Sequence, residues 1–319
     1  MNKFNKTFFI YSFFIFSISY GLIVAVDPYD KLGINAFGFR TKAVASSREN
    51  KFHMLENASD KYEAFILGSS TAHKYHSEDL EALTGLKSFN YAVQHTTPED
   101  YVAIINHIKS KFTPKLLVLQ IAFVDLDKNY ATDKMLYSSP LKDYLGEDSK
   151  VSKNTYVSGD IFSNNYLTLE ALRDTFKVIG VNLFGEVRHQ YLKHGNYRSE
   201  ETGQGPIQIV QFSHGTWELD QKRVLLLKKI QDDCEKSGIK LVVVSAPLSF
   251  DHYSKINSNE IMRNAFLTYK KVTNETFDHF YDFTTDEVKD INTKEYFSNS
   301  THPTRKLSRL ILEKIWRQK

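Results

Sequence analysis

The stretch YEAFILGSST, from Tyr62 to Thr71, decides the fold. Its apolar part, Tyr62–Leu67, is short and stops at Gly68, so it reads as a buried strand entering a turn. Ser77–Leu83 follows, with a Ser start and with Glu78 and Asp79 in its first turn, which opens a helix. The strand–turn–helix order then repeats. Ser88–Val93 (SFNYAV) reads as a second strand. Pro98–Phe112 carries Pro at its head and Tyr101, Ile104, Ile105 and Ile108 at helical spacing. Lys115–Ala122 (KLLVLQIA) is apolar nearly throughout, as a strand covered on both faces should be.

Residues 126–215 interrupt this rhythm. They are rich in Tyr, Asn, Ser and Gly, with one clear helical piece near Leu167–Val178, and read as an insertion near the substrate side. The alternation resumes with a helix over Asp220–Ser237, stopped by Gly238. It continues with a strand over Lys240–Ser245, a helix over Ser258–Thr276, a strand over His279–Phe283 and a final helix over Pro303–Arg317. The class is α/β: a mostly parallel five-stranded sheet with helices on both faces. In such sheets the working crevice lies at the carboxyl ends of the strands.

Composition narrows the function. The 319 residues carry 41 Lys+Arg against 38 Asp+Glu, a formal charge of +3. With 41% hydrophobic residues the composition excludes disorder, and the charge balance leaves no basic excess for phosphate neutralisation, so nucleic acid is not an expected partner. The single cysteine, Cys234, excludes an intrachain disulfide and a multi-cysteine zinc site, and reads as a small buried helix residue.

Residues 8–26 (FFIYSFFIFSISYGLIVAV) contain no charge. At helical rise they span about 28 Å, close to the hydrocarbon thickness of a bilayer. No other stretch approaches this length. The run is longer than a usual signal-peptide core, and Ile23-Val24-Ala25 is a poor cleavage site, so an uncleaved single-pass anchor over residues 1–27 is expected. Lys3 and Lys6 before the span are matched by Lys31, Arg40 and Lys42 after it, so charge does not set the orientation. Residues 28–319 form the folded body.

Two strand-end segments can carry chemistry. Gly68-Ser69-Ser70-Thr71 puts hydroxyls on a strand-to-helix turn, which suits a nucleophilic serine or a bound phosphate. Ala72 breaks the G-x-S-x-G pattern, and the P-loop lysine is missing, which lowers the nucleotide reading. Asn299-Ser300-Thr301-His302-Pro303 stands directly before the last helix, where a histidine can act as general base to a serine on the first turn. His73 and His76, after the first turn, read as helix-surface residues rather than metal ligands, and no metal or other cofactor is expected.

Taken together, these segments resemble the SGNH (GDSL-like) hydrolase superfamily. The resemblance puts the family serine on Ser70, in a Gly68-Ser69-Ser70 version of the first block, and the family histidine on His302. It puts the family aspartate position on Asn299, the second-block asparagine on Asn90 and the second-block glycine on His95. The third block is not recognisable in Gln120–Asp125. The anchor, the Asp27-Pro28-Tyr29 segment and the Gly-Ser-Ser turn further resemble the membrane-anchored branch associated with cell-envelope polysaccharides.

The resemblance implies a flavodoxin-like three-layer sandwich on the extracytoplasmic side of a membrane. It implies Ser70, His302 and Asn299 as catalytic residues, and Gly68, Asn90 and His95 as oxyanion or substrate-binding residues. The implied activity is a serine esterase or O-acyltransferase working through a Ser–His dyad on an acylated glycan or acyl donor. The other reading is a weak or inactive relative that binds a glycan or partners a membrane-bound O-acyltransferase. Asn299 carries no charge, and replacing a triad Asp by Asn costs a protease on the order of 10⁴ in rate. Asp282 and Glu295 are the nearest carboxylates in sequence that could compensate.

Overall fold

The computed structural model describes residues 3–28, 36–39, 47–132, 136–137, 139–146, 168–184, 193–197, 216–284, 296–298 and 301–317. The chain divides into two compact units. One comprises residues 1–46 and 151–189, the other residues 47–150 and 190–319.

The larger unit is the α/β body. Its strands are β1 (Ala64–Leu67), β2 (Ser88–Asn90), β3 (Leu116–Ile121), β4 (Lys240–Ser245) and β5 (Phe280–Tyr281). They form one sheet in the order β2-β1-β3-β4-β5, and each adjacent pair is parallel. This is the flavodoxin-like doubly wound order, which the sequence reading anticipates. The expected strands are all present, most trimmed by a residue or two at their ends.

Period-two alternation builds the layers. Phe65, Leu67, Leu117, Leu119, Leu241 and Val243 join one buried cluster. That cluster also holds residues of α4 (Pro98–Lys111), α6 (Gln221–Lys236) and α8 (Glu260–Thr276). The intervening Ala64, Ile66, Leu116, Val118, Val242 and Val244 join a second cluster with Leu80 of α3 (Ser77–Thr84) and Leu307, Ile311, Leu312 and Ile315 of α9 (Arg305–Arg317). Each strand is therefore apolar on both faces, which is why Lys115–Ala122 reads as a nearly continuous apolar run.

Two helices of this unit depart from the expectations. The helix expected over Ser258–Thr276 begins at Glu260. Asn259 caps it by accepting from Met262 N, and a separate helix α7 (Phe250–Ser258) precedes it. Helix α2 (Ser47–Glu56) has no counterpart in the sequence reading, and it buries Arg48 and Lys51.

The smaller unit contains α1 (Lys3–Val26) and α5 (Leu169–Phe184). Over Phe4–Val26, α1 is long and apolar enough to cross a membrane. Helix α5 corresponds to the piece expected near Leu167–Val178, extended by about a turn and a half at its carboxyl end.

Candidate active site

Gly68 ends β1 at φ +149°, in the region that favours glycine. A Cβ there would stand 2.7 Å from Ala72 Cβ and 3.0 Å from Gln120 Cβ, so only glycine lets the chain turn this tightly against β3. A 3₁₀ helix over Ser70–Lys74 follows at once, with the Ser69 side chain capping Thr71 N. Thr71 Oγ1 donates to Gln120 Oε1 on the last part of β3, which fixes the turn to the sheet. Ser70 occupies the first helical position and remains partly accessible.

His302 reaches Ser70 from the far end of the chain. Its Nε2 lies 2.8 Å from Ser70 Oγ. The segment before α9 holds the ring in place. Ser298 N donates to His302 O at 2.9 Å and Thr304 N to Tyr296 O at 2.8 Å, while Phe297 and Pro303 form an antiparallel bridge. Arg305 makes a forked pair with Asp79 of α3 at 3.0 and 3.2 Å. This ties the start of α9 to the helix that follows the Ser70 turn.

Burial, first, and then the electrostatic influence of Lys74 and His95 hold His302 below the ordinary histidine pKa of 6.5. The imidazole is therefore neutral at neutral pH, the state a general base requires. Thr301 Oγ1 stands 3.2 Å from His302 Nδ1. Asn299 and Glu295, the sequence candidates for the position behind the ring, lie outside the described residues. Asp282 is engaged elsewhere. It pairs with Lys270 at 2.8 Å, and it accepts from Ser245 Oγ at 3.2 Å and from Thr284.

Asn90 and His95 are placed differently from one another. Asn90 is fully buried, and its Nδ2 donates to Ala72 O at 3.0 Å and to Tyr75 O at 2.6 Å. Both amide hydrogens therefore go to carbonyls of the Ser70 turn. Asn90 holds the 3₁₀ helix that carries Ser70, and its amide nitrogen has no hydrogen left for another acceptor. His95 has φ +50° and an exposed side chain. A positive φ is the conformation that glycine adopts most readily and is uncommon for a histidine. His95 Nδ1 lies 3.2 Å from Tyr130 OH.

Sequence reasoning missed the support beneath these groups. Lys51 Nζ, fully buried, donates to Asn90 O at 2.5 Å and also to Gly195 O. Burial pushes its ammonium well below the ordinary lysine pKa. Arg48 forks onto Asp100 at 2.7 and 3.1 Å and donates to His95 O at 3.1 Å. Both basic residues come from α2, a charged segment without an apolar stripe and so without a sequence signal. His73, expected on a helix surface, is buried and stacks on Tyr197 at 5.1 Å between ring centroids. His76 is half-buried, with Nδ1 3.8 Å from Glu78. Among the described residues no group of three His, Cys, Asp or Glu side chains could hold a metal ion.

No known family profile matches this sequence, and no curated protein matches it. Solved structures do match. One is an acetyl xylan esterase, 14% identical, aligned over 80% of this chain and 98% of its own, with a TM-score of 0.39.

Proposed function

We propose that this chain is a membrane-anchored serine esterase or O-acyltransferase acting on an acylated polysaccharide of the cell envelope. The observation that carries the reading is the 2.8 Å contact between Ser70 Oγ and the Nε2 of a neutral His302. His302 takes the Ser70 proton as Oγ attacks the ester carbonyl. The resulting imidazolium returns that proton to the departing alkoxide, leaving an acyl group on Ser70. Water or a sugar hydroxyl then gives a proton to His302 and attacks the acyl carbonyl, and Ser70 leaves with the proton restored.

The Ser70 backbone N–H belongs to the first helical position, where no intrahelical acceptor exists, and it serves as one oxyanion donor. The His95 backbone N–H is assigned as a second. Gly68 supplies the close approach, and Asn90 acts as a positioning residue through Ala72 and Tyr75. Asn299 is assigned to orienting the His302 ring. Helix α1 is the anchor, with the α/β body on the extracytoplasmic face.

A serine-directed fluorophosphonate tests the reading. Labelling of the folded chain and none of Ser70→Ala is the expected result. No labelling of the wild type overturns it. The uncharged Asn299 favours a second reading, a non-catalytic glycan-binding or acyltransferase-partner protein. That reading requires Ser70→Ala and His302→Ala to leave polymer acylation in the cell unchanged.

A further inference from the structure

Helix α5 is inside out for a helix of a water-soluble protein. Ala171, Asp174, Thr175 and Val178 are buried, while Leu169, Phe176, Leu183 and Phe184 are exposed, Leu169 and Phe184 to about nine-tenths of their surface. At 100° per residue, Leu169, Leu172, Phe176, Ile179 and Leu183 form one continuous apolar stripe, and the exposed Arg173 and Lys177 lie along its edge. A stripe of large apolar side chains turned outward marks a surface that meets something other than water.

The neighbour of α5 says what that is. Ala171 and Leu172 pack with Tyr20 and Ile23 of α1. Helix α1 is exposed from Phe4 to Ile18 and becomes covered only from Ser19 onward. Helix α5 therefore does not run along the span. It meets α1 only in its last two turns. Ile23 lies about 28 Å along the axis from Phe4, which is one hydrocarbon thickness, so this contact sits at the level of a membrane boundary.

We infer that α5 lies in the interface of the same bilayer that α1 crosses, with Leu169, Phe176 and Leu183 immersed among acyl chains and Lys177 at the phosphate level. The inference rests on the reading of α1 as a membrane span. It assigns the helix in the 126–215 stretch to lipid rather than to the substrate side.

The test uses the full chain carrying Cys234→Ala, with single cysteines introduced in turn by Phe176→Cys, Leu183→Cys, Phe13→Cys on α1 and Lys228→Cys on the body. Each is labelled with an environment-sensitive fluorophore and reconstituted into phosphatidylcholine–phosphatidylglycerol vesicles with and without spin-labelled lipid. All four positions other than 234 are exposed, so the labels leave the packing intact. Labels at 176 and 183 are expected to emit blue-shifted light and to lose most of it to the spin-labelled lipid, as the label at 13 does and that at 228 does not. Quenching at 13 alone overturns the inference while leaving the anchor standing. No quenching at 13 removes the anchor and the inference together. Blue-shifted emission at 176 and 183 that lipid does not quench means that protein, such as a second copy, covers α5, and also overturns it.

Discussion

Two polar clusters sit at the carboxyl edge of the same sheet, and they differ in one respect. Around Ser70 and His302 the side chains are partly accessible and make a contact that can be broken and remade. Below the loop that follows β2, Arg48, Asp100, Tyr101 and Asp125 are sealed from water. Arg48 forks onto Asp100, Asp100 accepts from Thr97 N at 3.0 Å, and Tyr101 OH donates to Asp125 at 2.7 Å. Polar side chains thus serve opposite ends. An open cluster can exchange a proton with a substrate, whereas a closed one can only hold its loops in one arrangement.

Substitutions should separate these roles. Ser70→Ala should abolish phosphonate labelling and lower esterase turnover by between about 10² and 10⁶-fold. Its urea midpoint should not move, and a fallen midpoint would mean that Ser70 belongs to the structural set. Arg48→Met should do the reverse. It strands the Asp100 carboxylate in a buried site and should cost about 3–5 kcal/mol in urea unfolding.

Asp125 offers a way to see the closed cluster in pH. Burial above all raises its pKa from 3.8 to about 7. The folded state therefore holds a proton that the unfolded state has released, and stability should fall as pH rises from about 4 through 7. Asp125→Asn should flatten that decline in urea midpoints measured across the range. An unchanged slope would assign the dependence to another group. The smallest expected effect lies in the open cluster. The acid limb of kcat/KM should fall below pH 6.5, because burial, Lys74 and His95 keep His302 neutral. Lys74→Gln removes one of those charges and should move the limb upward by a fraction of a pH unit.

The open cluster was far more legible in the sequence than the closed one. Gly68-Ser69-Ser70 follows an apolar strand, and His302 precedes an amphipathic helix, so strand-end logic puts both on one edge. The use of Asn90 was not legible. Its residue type suits an oxyanion donor, but the carbonyls of Ala72 and Tyr75 lie closer to hand, and only their placement shows it. Arg48 and Lys51 were invisible because α2 lacks a stripe of apolar residues. Its burial is accompanied by specific partners, Asp100 for one and the Asn90 and Gly195 carbonyls for the other. Periodicity reports apolar burial and is silent about charges that are satisfied inside. A helical piece near Leu167–Val178 was legible, but the outward-facing stripe of the observed Leu169–Phe184 requires knowing which side is covered.

The separation of 232 positions between Ser70 and His302 also sets when the proposed chemistry can begin. A polypeptide emerging from the ribosome presents the Ser70 alcohol long before the His302 imidazole, so on that proposal any product truncated ahead of His302 would be inert. On the proposed function, reactivity would thereby be withheld from unfinished chains, a consequence of the winding order of the sheet that needs no separate inhibitor.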